Sequence, residues 1–155
     1  MKDIELDEID VKILEIVQDR GRIRRNDLAE QVSLSLPAAS ERLRKLEEAG
    51  IIVGYHAKLN HRFLHRDITA YMLVNVDSSK HFKSFLLSAN MNDEILECHA
   101  ITGEGTHLLK IRTFNTDSLE KLLAKIQSWT GVTKTTTSLV LSTSKETMRI
   151  KPLKK

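Results

Sequence analysis

A single cysteine, Cys98, stands in the 155-residue chain. That excludes an internal disulfide and, since four ligands are needed, a cysteine-based structural zinc site. Its expected place is as a small core side chain. Aromatic residues make up only 5%, and Tyr71 alone among them falls centrally in a strand-like stretch, so the stacking platform that single-stranded RNA requires is lacking. No apolar run approaches the roughly 20 residues that cross a bilayer. The opening MKDIELDEID is acidic where a secretory signal would be basic and then apolar. A cytoplasmic protein without a membrane partner is expected. A nucleophile elbow, a glycine-rich phosphate loop and a carboxylate pair are also missing, so neither enzymatic activity nor a cofactor is expected.

What the chain does have is a globular balance, 41% apolar and 29% charged residues, in a length that suits one ordinary domain or two small ones. The net charge of +3 is unevenly spread. Residues 20–62 carry nine Lys/Arg against five Asp/Glu, and the end from Thr143 adds Lys145, Arg149, Lys151, Lys154 and Lys155 against Glu146. Two basic zones thus flank a neutral body, a pattern that suits either a solvated surface or a polyanionic partner.

Helix punctuation dominates the first third. From Leu6 to Gly21 the chain offers Asp7 as N-cap, Asp10 three residues on, a Leu6/Val11 staple and a terminal glycine. Ile9, Ile13, Leu14 and Val17 form a stripe too short to hold a helix alone. A second short helix is expected over Asn26–Val32, with Leu28, Ala29 and Val32 inward, then a turn of Ser33, Leu34 and Ser35. The third helix, in SLPAASERLRKLEEAG, opens on Pro37 at its first position, where a missing N–H costs nothing. Ala39, Leu43 and Leu46 face inward, which leaves Pro37, Ala38, Ser40, Glu41, Arg44, Lys45 and Glu48 outward, with Arg42 at the edge. Two helices about a tight turn, the second with a small, polar outer face at its start, form a helix-turn-helix, which places that face in the DNA major groove.

After Ile51 the period changes from 3.6 to 2. IIVGYHAKLN reads as an extended connector, and DITAYMLVNV alternates strictly as a strand. A helix with Phe82, Phe85, Leu86 and Ala89 comes next. EILECHAIT and THLLKIRTF are strands joined through Gly103-Glu104-Gly105, then come a helix with Leu119, Leu122, Leu123 and Ile126 and a last strand in VTKTTTSLVLS. The order βαββαβ implies an antiparallel sheet with both helices on one face. The expected class is therefore α+β. Its expected divisions are 1–52 for the helix-turn-helix, 53–65 for a connector strand or hinge, 66–143 for the ferredoxin-like part and 144–155 for a basic tail.

Taken together, LDEIDVKIL, GRIRRNDLAEQVSLS, RLRKLEEAGIIVGYHAKLN, ITGEGTHLLK and GVTKTTTSLVL resemble, in order and spacing, the Lrp/AsnC family of transcriptional regulators. The resemblance implies an N-terminal winged helix-turn-helix that binds double-stranded DNA and a C-terminal ferredoxin-like domain that dimerises, with a tetramer or an octamer of dimers above it. It also implies a free amino acid as effector. The DNA-binding residues are then Arg24, Arg25, Ser35, Pro37, Ala38, Ser40, Glu41, Arg42, Arg44 and Lys45. Effector contacts fall on Gly103, Glu104, Gly105, Thr106, His107, Thr137 and Ser138.

Three departures from the family pattern carry expectations of their own. Ser33 stands where members usually have glycine. Arg24 stands where they usually have a Ser or Thr cap, and an arginine at a helix N-terminus opposes the dipole unless an anion sits there, as a DNA phosphate would. In the loop the family's Thr-Gly-Asp-aromatic-Asp-aromatic becomes Thr102, Gly103, Glu104, Gly105, Thr106, His107, so an acid that would meet an effector's ammonium group becomes a hydroxyl. The rival readings are a metal sensor, built on His61 and His65 or on His99 and His107 facing across the hairpin, and an amino-acid sensor without DNA, which leaves residues 1–52 without a task.

Overall fold

The computed structural model describes residues 5–153; the first four residues of the acidic opening, and Lys154 and Lys155 of the basic tail, lie outside the described residues. Two units are present: residues 1–58 together with 145–155, and residues 59–144.

The first unit is built on three helices, α1 (Glu8–Asp19), α2 (Arg25–Gln31) and α3 (Leu36–Glu48). Asp7 and Asp10 close a reciprocal capping box at the start of α1, each carboxylate accepting from the other's backbone N–H. The stripes meet as the periodicity requires: Ile13, Leu14, Val17, Leu28, Ala29, Val32, Ala39, Leu43 and Leu46 are buried together. Ser35 is the N-cap of α3, its hydroxyl accepting from Ala38 N–H, so Leu36 takes the first helical position and Pro37 the second, one place later than the sequence reading. Residues 53–60 contain no strand, so the expected connector strand is extended chain without sheet partners.

The tail belongs to this unit. Gln18 on α1 grips the backbone of Ile150 twice, donating to its carbonyl at 2.9 Å and accepting from its N–H at 2.7 Å. Arg149 pairs with Asp19 at 3.3 Å, and Lys58 donates to the Glu146 carbonyl at 3.2 Å.

The second unit runs β1 (Ile68–Val76), α4 (Ser79–Asn90), β2 (Ile95–Ala100), β3 (His107–Thr113), α5 (Thr116–Gln127) and β4 (Val132–Leu139). Its antiparallel sheet has the order β2-β3-β1-β4. Alternate residues Ala70, Met72, Val74 and Val76 of β1 and Leu109 and Ile111 of β3 are buried with Phe85, Leu119, Leu122 and Ile126 of the helices, so both helices cover one face. Cys98 packs at the margin of this core as a free thiol. The other face, with Tyr71, Leu73, Asn75, Leu108, Lys110, Thr136 and Ser138, carries neither of this unit's two helices.

Candidate nucleic-acid interface and effector cleft

The turn between α2 and α3 fixes the first candidate site. Leu34 N–H reaches Ala29 O at 2.9 Å and Ser33 N–H reaches Glu30 O at 3.1 Å, the paired closure of a Schellman motif, with Ser33 held at φ 58°. That left-handed conformation favours the glycine of the family pattern, so the serine here holds it at a conformational cost. Arg24 occupies the N-cap of α2 with no side-chain hydrogen bond to the helix, and neither it nor Arg22 has an ion pair among the described residues.

On α3 the outward residues are Pro37, Ala38, Ser40, Glu41, Arg44, Lys45 and Glu48, but the charges among them are not independent. Arg44 is clasped by Glu41, Nη2 to Oε1 at 2.6 Å and Nε to Oε2 at 2.9 Å, and by Glu48 through Nη1. Lys45 stands 3.8 Å from Glu41. The Arg44 hydrogen bonds hold the Glu41 carboxyl below its ordinary range against the opposing effect of desolvation. Arg42 is turned the other way: Nη1 donates to Asp7 at 2.6 Å and to Asp10 at 2.9 Å, so its guanidinium ties α3 to the start of α1. Expected at a DNA surface, it is instead an internal strut, because the capping carboxylates of α1 lie within its reach. Tyr55 also braces α3, its hydroxyl donating to Glu47 at 2.9 Å. Burial, reinforced by that acceptor, pushes the phenol up to about 12.

A second candidate site lies on the side of the sheet opposite α4 and α5, where a cleft of about 100 Å³ is lined by Leu73, Asn75, Glu104, Gly105, Lys134 and Thr136. Of the expected effector residues only Glu104 and Gly105 line it. Gly103 and Gly105 turn the hairpin with φ of 100° and 90°. The Thr106 hydroxyl points into the sheet, accepting from Val76 N–H at 3.0 Å and donating to Val74 O at 3.1 Å, and the His107 Nδ1 at 2.9 Å takes up its remaining capacity. His107 is 1% exposed. Its ring packs against Phe82 and Phe85 on the helix side, and burial holds it below its ordinary range, neutral. Thr137 pairs with Met72 and so faces the helices, while Ser138 shares the cleft's side of the sheet without lining it. Leu73, Asn75, Lys134 and Thr136 are lining residues that the sequence reading does not include. The alternation of β1 is the signal for the first two, since it sets Leu73 and Asn75 opposite the core residues.

The same register removes the histidine pairing across the hairpin. His99 is opposite Leu108 and His107 opposite Ala100, so the two rings lie on opposite faces. Among the described residues no group of three or more metal-ligating side chains comes together.

Comparison with known proteins decides what these two sites belong to. Residues 6–53 match the model of winged helix-turn-helix DNA-binding domains, and residues 69–150 match that of the Lrp/AsnC ligand binding domain. The chain belongs to the Lrp/AsnC family of transcriptional regulators. It is 36% identical to the uncharacterized HTH-type transcriptional regulator YezC of Bacillus subtilis, over 90% of this chain and 96% of that protein. It is 34% identical to the leucine-responsive regulatory protein of Haemophilus influenzae, over 92% of this chain and 87% of the relative. A transcriptional regulator of Neisseria meningitidis, solved as its L-Met complex, superposes with a TM-score of 0.90 at 31% identity, covering 94% of this chain and 96% of that one. Family membership makes the protein a regulator rather than an enzyme, and its two described units carry the Lrp/AsnC architecture. No helix among the described residues is long and apolar enough to cross a membrane.

Proposed function

We propose that this Lrp/AsnC regulator binds duplex DNA through the outer face of α3 as a dimer or higher oligomer, and that a free amino acid modulates it through the cleft beside Glu104. The observation that carries the DNA reading is the Schellman-closed turn. It sets α3 with Pro37, Ala38 and Ser40 at its leading outer end, where small side chains let the helix come close to base edges, followed by Arg44 and Lys45. Arg24 and Arg25, exposed at the start of α2, suit phosphate contact. Arg42 takes no part in this reading.

Assembly is supported by apolar side chains that a single chain leaves in water. Val53 is 91%, Phe63 84% and Leu141 92% exposed, and a partner chain would have apolar surface of this kind to cover. A two-fold dimer would present two copies of α3 to half-sites about 10 base pairs, or a multiple, apart.

For the effector, Glu104 and Lys134 give the cleft one carboxylate and one ammonium, the complement of a zwitterion, with Leu73 as an apolar wall. At about 100 Å³ the cleft is smaller than the roughly 300 Å³ at which ligand pockets begin, and a second copy of the chain facing this side of the sheet would enlarge it. The DNA reading is tested by Arg44→Ala with Lys45→Ala. Affinity should fall, and the log-log salt slope should flatten by about 0.9 for each phosphate that is no longer neutralised; an unchanged slope removes α3 as the DNA-binding surface. Calorimetry with a panel of free amino acids, on the native protein and on Glu104→Gln and Lys134→Gln, tests the cleft.

A further inference from the structure

The guanidinium of Arg44 has two edges that can grip a phosphate or the O6 and N7 of guanine, a side-on edge formed by Nε and Nη2 and an end-on edge formed by Nη1 and Nη2. Glu41 occupies the side-on edge, accepting from Nε at 2.9 Å and from Nη2 at 2.6 Å, while Glu48, from the next turn of the helix, takes Nη1 of the end-on edge. Each edge is thus engaged by an acid of its own helix, and a bidentate grip on DNA has to displace Glu41 or Glu48. Glu41 is further shared with Lys45 at 3.8 Å. On the outer face of α3 two acids thus balance two bases, and the protein's contact helix has no net charge to offer a phosphate backbone.

We infer that Glu41 and Glu48 form an acid clasp that determines specificity. In the free protein they take the place of DNA phosphates on Arg44 and suppress binding to arbitrary sequence. The clasp opens without loss only where the DNA satisfies both of its halves. This inference rests on α3 being the DNA-facing helix. Against a phosphate backbone, Arg44 exchanges one anion for another, and the released carboxylates are left beside further negative charge. Against a suitable G·C-containing site, Arg44 reaches guanine O6 and N7 while Glu41 accepts from a cytosine N4 amine, so the broken pair is made good on both sides. The device discriminates by penalising the wrong partner. Sequence-independent attraction then falls to bases outside the clasp, among them Arg22 and Arg24.

The test compares the native chain, Glu41→Gln/Glu48→Gln, Arg44→Ala, and the triple variant, each checked for native helicity by circular dichroism. Glutamine and glutamate have similar helix propensities, so the fold should survive. Two probes are used: a duplex of arbitrary sequence, and the duplex that the native protein binds tightest from a random-sequence library. The double Gln variant should bind the arbitrary duplex roughly ten-fold tighter, as one added charge-assisted hydrogen bond would make it. Its salt slope should steepen by about 0.9. The selected duplex should gain less, so the specificity ratio falls. In the Arg44→Ala background the same two substitutions should give little of this gain. An equal gain without Arg44 overturns the clasp, because the carboxylates would then act by plain repulsion; so does an unchanged affinity for arbitrary duplex. If Arg44→Ala and Lys45→Ala leave affinity for the selected duplex untouched, the assignment of α3 as the contact helix fails, and the clasp falls with it.

Discussion

Replacing Ser33 by glycine should stabilise the first unit, and the magnitude can be worked from one dihedral angle. Ser33 sits at the position after the C-cap of α2 with φ 58°, and its side chain is exposed. Residue 50 occupies the equivalent place at the end of α3. There Ile51 N–H reaches Leu46 O at 3.0 Å and Gly50 N–H reaches Glu47 O at 2.9 Å, but the residue is glycine, at φ 71°. The left-handed region costs an L-residue about 1–2 kcal/mol. A glycine gives back about 0.5–1 kcal/mol through the freedom it has in the unfolded chain, so Ser33→Gly should gain on the order of 0.5–1 kcal/mol. In a unit of about 70 residues, each kcal/mol moves the melting temperature by about 4–8 °C. A rise of about 2–8 °C is expected in the calorimetric transition of the first unit. Gly50→Ala is the mirror experiment, because a Cβ there meets nothing within 4 Å and its cost is purely conformational. It should lower the same transition by a similar amount. If Ser33→Gly leaves the transition unmoved while Gly50→Ala lowers it, the strain assigned to Ser33 is absent.

Other expectations concern single groups. Burial holds His107 below its ordinary 6.5, so the unfolded chain protonates first as pH falls. Stability of the second unit should be full above that value and decline below it until the folded ring also takes a proton; His107→Gln should flatten this limb in urea melts followed by Trp129 fluorescence, and equal slopes would count against it. Asp7 is held below its ordinary 3.8, chiefly by the Asp10 N–H and then by Arg42. Its contribution should persist down to about that pH and vanish beneath it, whereas Asp7→Asn keeps a capping side chain, removes the acid limb and costs on the order of 0.5 kcal/mol at neutral pH. Gln18→Ala removes both bonds to Ile150, so amide exchange across residues 145–153 should accelerate towards that of a free chain. Unchanged protection at Ile150 would mean that the tail is held by something other than this amide.

Much of this molecule is legible in its sequence because its elements are locally determined. The Asp7/Asp10 capping box and the inward stripes of three helices arise from spacing alone, as does the alternation of Ile68–Val76. The βαββαβ order then leaves few topologies open. What spacing does not carry is the choice a long polar side chain makes among partners. Arg42 lies at the margin of its helix's buried stripe and has two neighbourhoods within reach; two carboxylates on α1 decide between them. The Gln18 clip joins residues 132 positions apart through a side-chain amide and a backbone, and that pairing has no period to read. The parity of β3 is readable, since His107 alternates with Leu109 and Ile111, although the hairpin glycines just before it suggest a loop position instead.

The loop of the second unit shows why residues cannot be carried from a family one at a time. Compared with the family pattern, the chain loses an aromatic at 105 and an acid at 106, which reads as a weakened ammonium site. The structure gives the two changes a common cause. Gly105 stands at φ 90°, where a Cβ would lie 3.3 Å from the Val74 carbonyl, and this turn brings Thr106 far enough inward for its hydroxyl to bridge Val74 O and Val76 N–H. An aspartate at 106 would set a carboxylate against the Val74 carbonyl, with no proton to donate to it. A tyrosine at 105 would oppose the backbone conformation that seats the bridge. Glycine and threonine are therefore one device for closing the hairpin onto β1, and the space left beside it is bounded by Glu104, Asn75 and Lys134. Any amino acid recognised there would find its ammonium partner in Glu104 and its carboxylate partner in Lys134, on a loop whose backbone has already been committed to a different shape.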